Sequence, residues 1–230
     1  MSMDIVLIAG LWLDASAWDE VAGELRRLGH RPHPVALPGQ TSGSAGQQAT
    51  LADQVEAVLQ AVDAASGQVL VVGHSAACTL AWIAADARPE EVATVALIGG
   101  FPAADGGTYA DFFEPTNGQV PFPGWEAFEG PDSADLDQAA KDRFSAAAIP
   151  VPGTVTKGVV HLRDERRYAV PVVLVCPEYS AEDAEAWLRA GEMPELTKAE
   201  QVTFVDIDSG HWPMLTRPGE LAQIISTLTG

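Results

Sequence analysis

Short apolar strands alternate with amphipathic helices along most of this chain, and this alternation limits the possible folds more than any other feature. Unbroken apolar runs such as 4–9 and 92–98 are typical of strands that are covered on both faces. The predicted strands are 4–9, 31–37, 68–72, 92–98, 170–175 and 202–207, and the predicted helices are 16–28, 51–62, 76–87, 134–147, 181–189 and 218–228. Alternation with right-handed crossovers predicts an α/β fold, with a mainly parallel sheet and helices on both faces.

The alternation stops in the middle of the chain. Residues 99–169 are rich in glycine, proline and aromatic residues, and 134–147 is their one plausible helix. A length of 230 residues suits one compact domain. We therefore predict a single domain over residues 1–230, with a lid inserted at about 101–169. Composition also predicts a loop at 41–46.

Charge and apolar patterning restrict the partners. The net charge is −19, which repels phosphate backbones and anionic lipid, so we expect no nucleic-acid or membrane partner. No apolar run approaches the ~18–20 residues of a membrane span, and the N-terminus lacks a basic region and a cleavage site. We expect a cytoplasmic protein that acts on a small molecule, while its oligomeric state is not readable. Cys78 and Cys176 are expected to be free buried thiols without metal-site spacing.

A serine follows the apolar run at 68–72 directly. The segment Gly73-His74-Ser75-Ala76-Ala77 places small residues around Ser75 between a predicted strand and a predicted helix. That context is typical of a nucleophile elbow, whereas the alternative is a serine that only caps the helix. The helix N-terminus supplies N–H groups that stabilise an oxyanion, so Ser75 is our candidate nucleophile and the N–H of Ala76 the first oxyanion donor.

A serine nucleophile needs a base, and His211 is the candidate among five histidines. The segment 208–214 follows the last predicted strand and precedes the last helix. Because the carboxyl ends of parallel strands form one rim, His211 and Ser75 should lie on the same edge. A loop histidine without a role is the alternative. The loop after the first strand normally supplies the second oxyanion donor, so we nominate the N–H of Leu11, with a simple turn at Gly10 as the alternative.

The carboxylate that would orient His211 has several candidates. Glu178 ends a strand on the same rim and fits the chain order nucleophile, acid, base. Asp105 is the second candidate, and Asp183 and Asp208 are more distant ones. A solvated loop carboxylate is the alternative for Glu178.

These motifs resemble the α/β-hydrolase superfamily, in particular its small plant-esterase and hydroxynitrile-lyase-like branch. The branch shows His-Gly-x-Trp-x-x-Ala-x-x-Trp after its first strand, and this chain matches it at Gly10, Trp12, Ala15 and Trp18. Leu37-Pro38-Gly39, Gly73-His74-Ser75 and the segment from His211 to Pro218 are also similar. The chain departs from the pattern in two places: Ala9 replaces the usual histidine, and Ser180 stands where a gapless comparison puts the family's aspartate.

The resemblance implies an α/β-hydrolase fold whose eight-stranded plan is reduced at the N-terminal edge. It also implies hydrolysis of an ester or lactone of a small apolar substrate through an acyl-enzyme, without a cofactor or metal. Aromatic side chains of the lid should line an apolar pocket, although they could instead form the lid's own core. The candidates for substrate contact are Trp12, Phe101, Phe112, Phe113 and Trp125, with Tyr109, Phe122 and Phe128 as further lid aromatics.

Two other functions fit the same scaffold. A C–C lyase acting on a cyanohydrin-like substrate would need a lid cation near the leaving group, for which Lys141 or Lys157 could serve. A ligand receptor with little or no turnover would keep the pocket without efficient chemistry, because a fold does not fix a function.

Overall fold

The structure, a computed structural model, describes residues 2–41 and 48–229. From residue 42 onward, the loop predicted at 41–46 lies outside the described residues. The strands are β1 (Asp4–Ile8), β2 (Arg31–Pro34), β3 (Val69–His74), β4 (Val92–Ile98), β5 (Gln119–Val120), β6 (Val151–Pro152), β7 (Val172–Cys176) and β8 (Val202–Asp206). The helices are α1 (Asp19–Arg27), α2 (Leu51–Asp63), α3 (Cys78–Ala87), α4 (Gln138–Ala147), α5 (Gly153–Thr156), α6 (Ala181–Ala190), α7 (Pro213–Thr216) and α8 (Pro218–Thr227).

Six of the strands form one parallel sheet in the order β2-β1-β3-β4-β7-β8. Successive side chains of β1 point to opposite faces of this sheet. Val6 and Ile8 pack in the cluster that includes α2 and α3, whereas Ile5 and Leu7 pack in the cluster that includes α1 and α8. The predicted α/β architecture, with helices on both faces of a mainly parallel sheet, is confirmed.

Several boundaries differ from the prediction for local reasons. The strand expected at 31–37 ends at Pro34, and the N–H of the next residue, Val35, still donates to the carbonyl of Leu7 at 2.9 Å. The first helix does not begin at a Ser16 cap. Asp14 accepts from the N–H of Ser16 at 2.9 Å and starts a 3-10 turn that precedes α1. The helix expected at 134–147 begins four residues later, because Asp137 caps α4 by accepting from the N–H of Ala140 at 2.7 Å.

Residues 101–169 lie between β4 and β7 in the chain and contain the separate antiparallel pair β5–β6. A buried ionic network anchors the end of this segment. Arg167 contacts Asp86 of α3 at 3.1 Å and Glu195 at 3.0 Å, and all three side chains are nearly inaccessible to solvent. Across the described ranges, no helix has the length and apolar character that a bilayer crossing requires.

Candidate active site

Ser75 lies on a sharp turn at the end of β3. Its φ angle is +56°, a left-handed conformation that costs energy in a residue with a side chain. The turn leaves no room for side chains at the neighbouring glycines. A Cβ atom at Gly73 would lie 2.4 Å from the carbonyl oxygen of Ala77, and a Cβ atom at Gly100 would lie 2.7 Å from the carbonyl oxygen of Ser75. A 3-10 turn over Ser75–Ala77 leads directly into α3. The hydroxyl therefore stands where β3 ends and the helical N–H groups begin.

His211 lies in the loop between β8 and α7, and its imidazole contacts Ser75. Its Nε2 atom is 2.9 Å from Ser75 Oγ, and its Nδ1 atom is 2.7 Å from Oε1 of Glu178. The His211 and Glu178 side chains are only 12% and 14% exposed. The backbone N–H of His211 donates to the carbonyl of Asp132 at 2.8 Å, which ties this loop to the intervening segment. Ser75, His211 and Glu178 thus form a continuous chain of hydrogen bonds.

The other carboxylate candidates lie in different surroundings. Asp105 is exposed and accepts from the N–H of Leu162 at 2.9 Å. Asp183 closes a capping box with Ser180 at the start of α6, so both side chains are used at the helix N-terminus. Asp208 is exposed, and its carbonyl accepts from Arg217. Among these carboxylates, the structure brings Glu178 alone to His211.

His74 contributes a contact that the sequence reasoning missed. Its Nε2 atom lies 2.7 Å from the carbonyl oxygen of His211. Since a carbonyl only accepts, Nε2 carries the hydrogen in this contact. Complete burial, together with the nearby His211, lowers the pKa of His74 to about 3, so the ring is neutral. Adjacency to Ser75 in the sequence was the available signal for this contact.

Leu11 and Ala76 line the cavity above Ser75, as does Trp12. The backbone of the β1 loop comes very close to the elbow, because a Cβ atom at Gly10 would lie 3.0 Å from that of Ser75. Leu11 belongs to no helix or strand, and its N–H donates to no acceptor among the described residues. The N–H of Ala76 is in the first turn of a helix, where an intrahelical acceptor is missing.

The cavity above Ser75 has a volume of about 630 Å³ and is mostly apolar. Of the five predicted substrate contacts, Trp12, Phe101, Phe112 and Phe113 line it, as do Tyr109 and Phe128. Trp125 is not among the residues that line this cavity. Its ring packs against Phe122, Phe144 and Trp212 instead, and its Nε1 donates to Ser145 at 2.9 Å.

Two acidic side chains line the cavity. Asp111 and Glu192 line it, and none of the described residues lining it is a lysine or arginine. Lys157 pairs with the carboxylates of Asp111 and Glu114, and Lys141 stands over the Trp125 ring at 5.5 Å.

Trp12 connects the intervening segment with the β1 loop. Its indole Nε1 donates to the carbonyl of Val120 at 3.1 Å, and its own carbonyl accepts from Ile149 at 2.9 Å. The ring packs edge-on against Phe113, Phe122 and Phe128. The loop beside Ser75 and the segment over the cavity are therefore joined through one residue.

A parallel sheet of this order, with a strained serine after a central strand and a histidine in a loop past a later strand, defines an α/β-hydrolase class of protein. The chain belongs to the alpha/beta hydrolase family, whose model matches residues 5–224. A comparison with curated proteins gave no significant match.

Solved structures support the same fold. An extracellular α/β-hydrolase from a Paenibacillus species, described as homologous to tobacco salicylic acid binding protein 2, aligns with a TM-score of 0.79 at 18% identity over 98% of both chains. A pyrethroid hydrolase from Sphingobium faniae aligns at 0.74 with 22% identity over 99% of this chain and 97% of its own. A methylesterase from Arabidopsis aligns at 0.75 with 15% identity over 97% of both.

Proposed function

We propose that this protein is a carboxylic ester hydrolase that acts on small apolar esters or lactones through an acyl-enzyme on Ser75. The observation that carries the proposal is the hydrogen-bond chain from Glu178 through His211 to Ser75 at the floor of an apolar cavity. A serine hydroxyl becomes a good nucleophile when a base takes its proton, and an oriented imidazole is such a base. Membership of the hydrolase family and the hydrolases among its structural neighbours agree with this reaction class.

Acylation would begin when Ser75 Oγ attacks the ester carbonyl and its proton passes to His211 Nε2. Glu178 accepts from Nδ1 and would stabilise the imidazolium that forms. The carbonyl oxygen gains negative charge, and the N–H groups of Leu11 and Ala76 would bind it. The C–O bond to the alcohol then breaks, and the alcohol leaves with the proton from His211.

Deacylation would repeat these steps with water. His211 takes a proton from water, the hydroxide attacks the acyl carbon, and the same two N–H groups bind the oxyanion. The bond to Ser75 Oγ breaks, the acid leaves, and Ser75 regains its proton from His211. These steps use side chains and backbone groups of this chain.

No observation favours the lyase. Its leaving group would need a nearby cation, but Lys157 is paired with two carboxylates and Lys141 packs on Trp125, outside the cavity lining. A receptor with slow turnover would use the same cavity, and turnover measurements decide between the two functions.

The test is hydrolysis of a panel of p-nitrophenyl esters and aryl lactones by wild type, Ser75→Ala and Ser180→Ala. Ser180 is the matched control, because it also stands at a helix N-terminus but contacts no histidine. We expect a burst of nitrophenol at a stoichiometry of about one, turnover in the Ser180 variant and none above background in the Ser75 variant. Saturable ligand binding without turnover in wild type would favour the receptor.

A further inference from the structure

A buried glutamine holds the loop that carries the proposed oxyanion donor. Gln40 follows the Pro38-Gly39 turn, and its side chain has no solvent exposure. Its Nε2 group donates to the carbonyl of Gly10 at 2.8 Å and to that of Leu13 at 3.0 Å. One amide thus bridges the two ends of the loop after β1.

The first of these contacts acts on one peptide unit. The carbonyl of Gly10 and the N–H of Leu11 belong to the same planar group and point in opposite directions across a trans bond. A donor that fixes the carbonyl on the interior side therefore fixes the direction of the N–H on the other side. Leu11 lines the cavity together with Ser75 and Ala76, and the proposed function places the oxyanion in that cavity.

A second buried glutamine fixes the orientation of the Gln40 side chain. Gln54 of α2 is also fully buried, and its Nε2 donates to Oε1 of Gln40 at 3.1 Å and to the carbonyl of Pro38 at 2.9 Å. Both hydrogens of the Gln40 amide and its oxygen are therefore engaged, which leaves it one orientation. A hydrogen bond to a peptide carbonyl also polarises the N–H of the same unit and makes it a stronger donor.

We infer that Gln40, oriented by Gln54, is a positioning residue that aims the Leu11 N–H at the developing oxyanion. The inference rests on the proposed function, since it assigns Leu11 to the oxyanion hole of that reaction. In the motif of similar hydrolases a histidine precedes the loop glycine, whereas Ala9 stands there in this chain. Gln40 holds the loop here from outside that motif.

The test compares Gln40→Met, which keeps the length of the side chain and removes its donors, with Gln54→Leu. Loss of one oxyanion donor lowers kcat by about 10²–10³, so a misdirected donor should lower kcat about tenfold or more while KM stays nearly constant. Binding of an aryl trifluoromethyl ketone, whose adduct places an oxyanion in the hole, should weaken in proportion to kcat/KM across the variants. Gln54→Leu should show a smaller change of the same kind.

A control and a spectroscopic measurement separate this role from lost stability. Val62→Ala removes buried volume from the far end of α2 and should destabilise the fold without changing kcat. In Gln40→Met the backbone ¹⁵N resonance of Leu11 should shift, because its peptide unit loses a hydrogen bond. An unshifted Leu11 signal, or equal kcat in Gln40→Met and wild type, overturns the inference. A shifted signal in a protein that hydrolyses no ester would refute the proposed function instead.

Discussion

Oε1 of Glu178 lies 2.7 Å from Nδ1 of His211, although Glu178 is only two residues beyond the end of β7. Ser180, where the resemblance described above would put an aspartate, caps α6 together with Asp183. The longer glutamate side chain reaches the histidine from the earlier position. In the turn after β7, Glu178 thus contacts the candidate site and Ser180 caps the next helix.

Replacing Glu178 by glutamine tests this relationship. The change keeps the size of the side chain but removes the charge that would stabilise the imidazolium, so kcat should fall by about 10³–10⁴. Asp105→Asn is the matched control, because Asp105 bonds to the N–H of Leu162 and should leave kcat unchanged. Ester hydrolysis by both purified variants is the measurement. Equal loss in the two would remove Glu178 from the proposed mechanism.

Burial of His74 makes the stability of the protein depend on pH. Its pKa is about 3 in the folded state and near 6.5 when unfolded, so between these values the unfolded state binds more protons. Its contribution to the free energy of unfolding is therefore lost as pH falls from 6.5 towards 3, by about 1.4 kcal/mol per pH unit. His74→Gln can keep the contact to His211 and should show a shallower loss.

Guanidinium unfolding of wild type and His74→Gln at pH 7, 6 and 5 measures this effect. Below pH 6.5, the free energy of unfolding of wild type should fall more steeply with decreasing pH than that of His74→Gln. Parallel stability curves would mean that His74 is not held neutral by the fold.

The acidic surroundings of the cavity predict discrimination by substrate charge. Glu192 lines the cavity, and the charges of Asp111 and Glu114 together exceed that of their partner Lys157, so an anionic acyl group should be repelled. We expect the kcat/KM for p-nitrophenyl butyrate to exceed that for the hemisuccinate ester by about tenfold or more. Added salt, or the substitution Glu192→Gln, should reduce this ratio. Faster hydrolysis of the hemisuccinate would contradict this description of the cavity.

The ionic network at Arg167 should contribute strongly to stability. Arg167→Met leaves the buried carboxylates of Asp86 and Glu195 without this partner and should lower the free energy of unfolding by about 3–5 kcal/mol. Arg166→Met removes exposed ion pairs from the adjacent residue and should change it little. Urea unfolding of both variants provides the comparison, and equal costs would show that the network adds nothing beyond a surface pair.

Local patterns were sufficient to predict the sheet and the rim of the candidate site. The apolar runs at β3 and β7 and the strand-to-helix context of Ser75 depend on neighbours in the sequence, and parallel strands then bring Ser75, His211 and Glu178 to one edge. Helix starts were less predictable. Asp14, and not Ser16, caps the turn that precedes α1, and Asp137 caps α4 beyond the start predicted at residue 134.

Contacts between distant segments left no local signal. Gln40 and Gln54 are polar residues in a loop and on a helix, and their burial follows from how the β1 loop and α2 pack together. Trp125 is an aromatic residue of the kind that lines apolar pockets, yet its ring packs against Phe144 and Trp212. Aromatic content predicted an apolar cluster over the site but not which rings face the cavity.

Intact mass after treatment with a small fluorophosphonate tests the central claim most directly. The reagent reacts with a serine whose proton a neighbouring base removes, and it needs no knowledge of the substrate. We predict one phosphonyl adduct on wild type and on Ser180→Ala, and none on Ser75→Ala. Absence of an adduct on wild type, or an adduct that persists in Ser75→Ala, would contradict the assignment of Ser75 as an activated nucleophile.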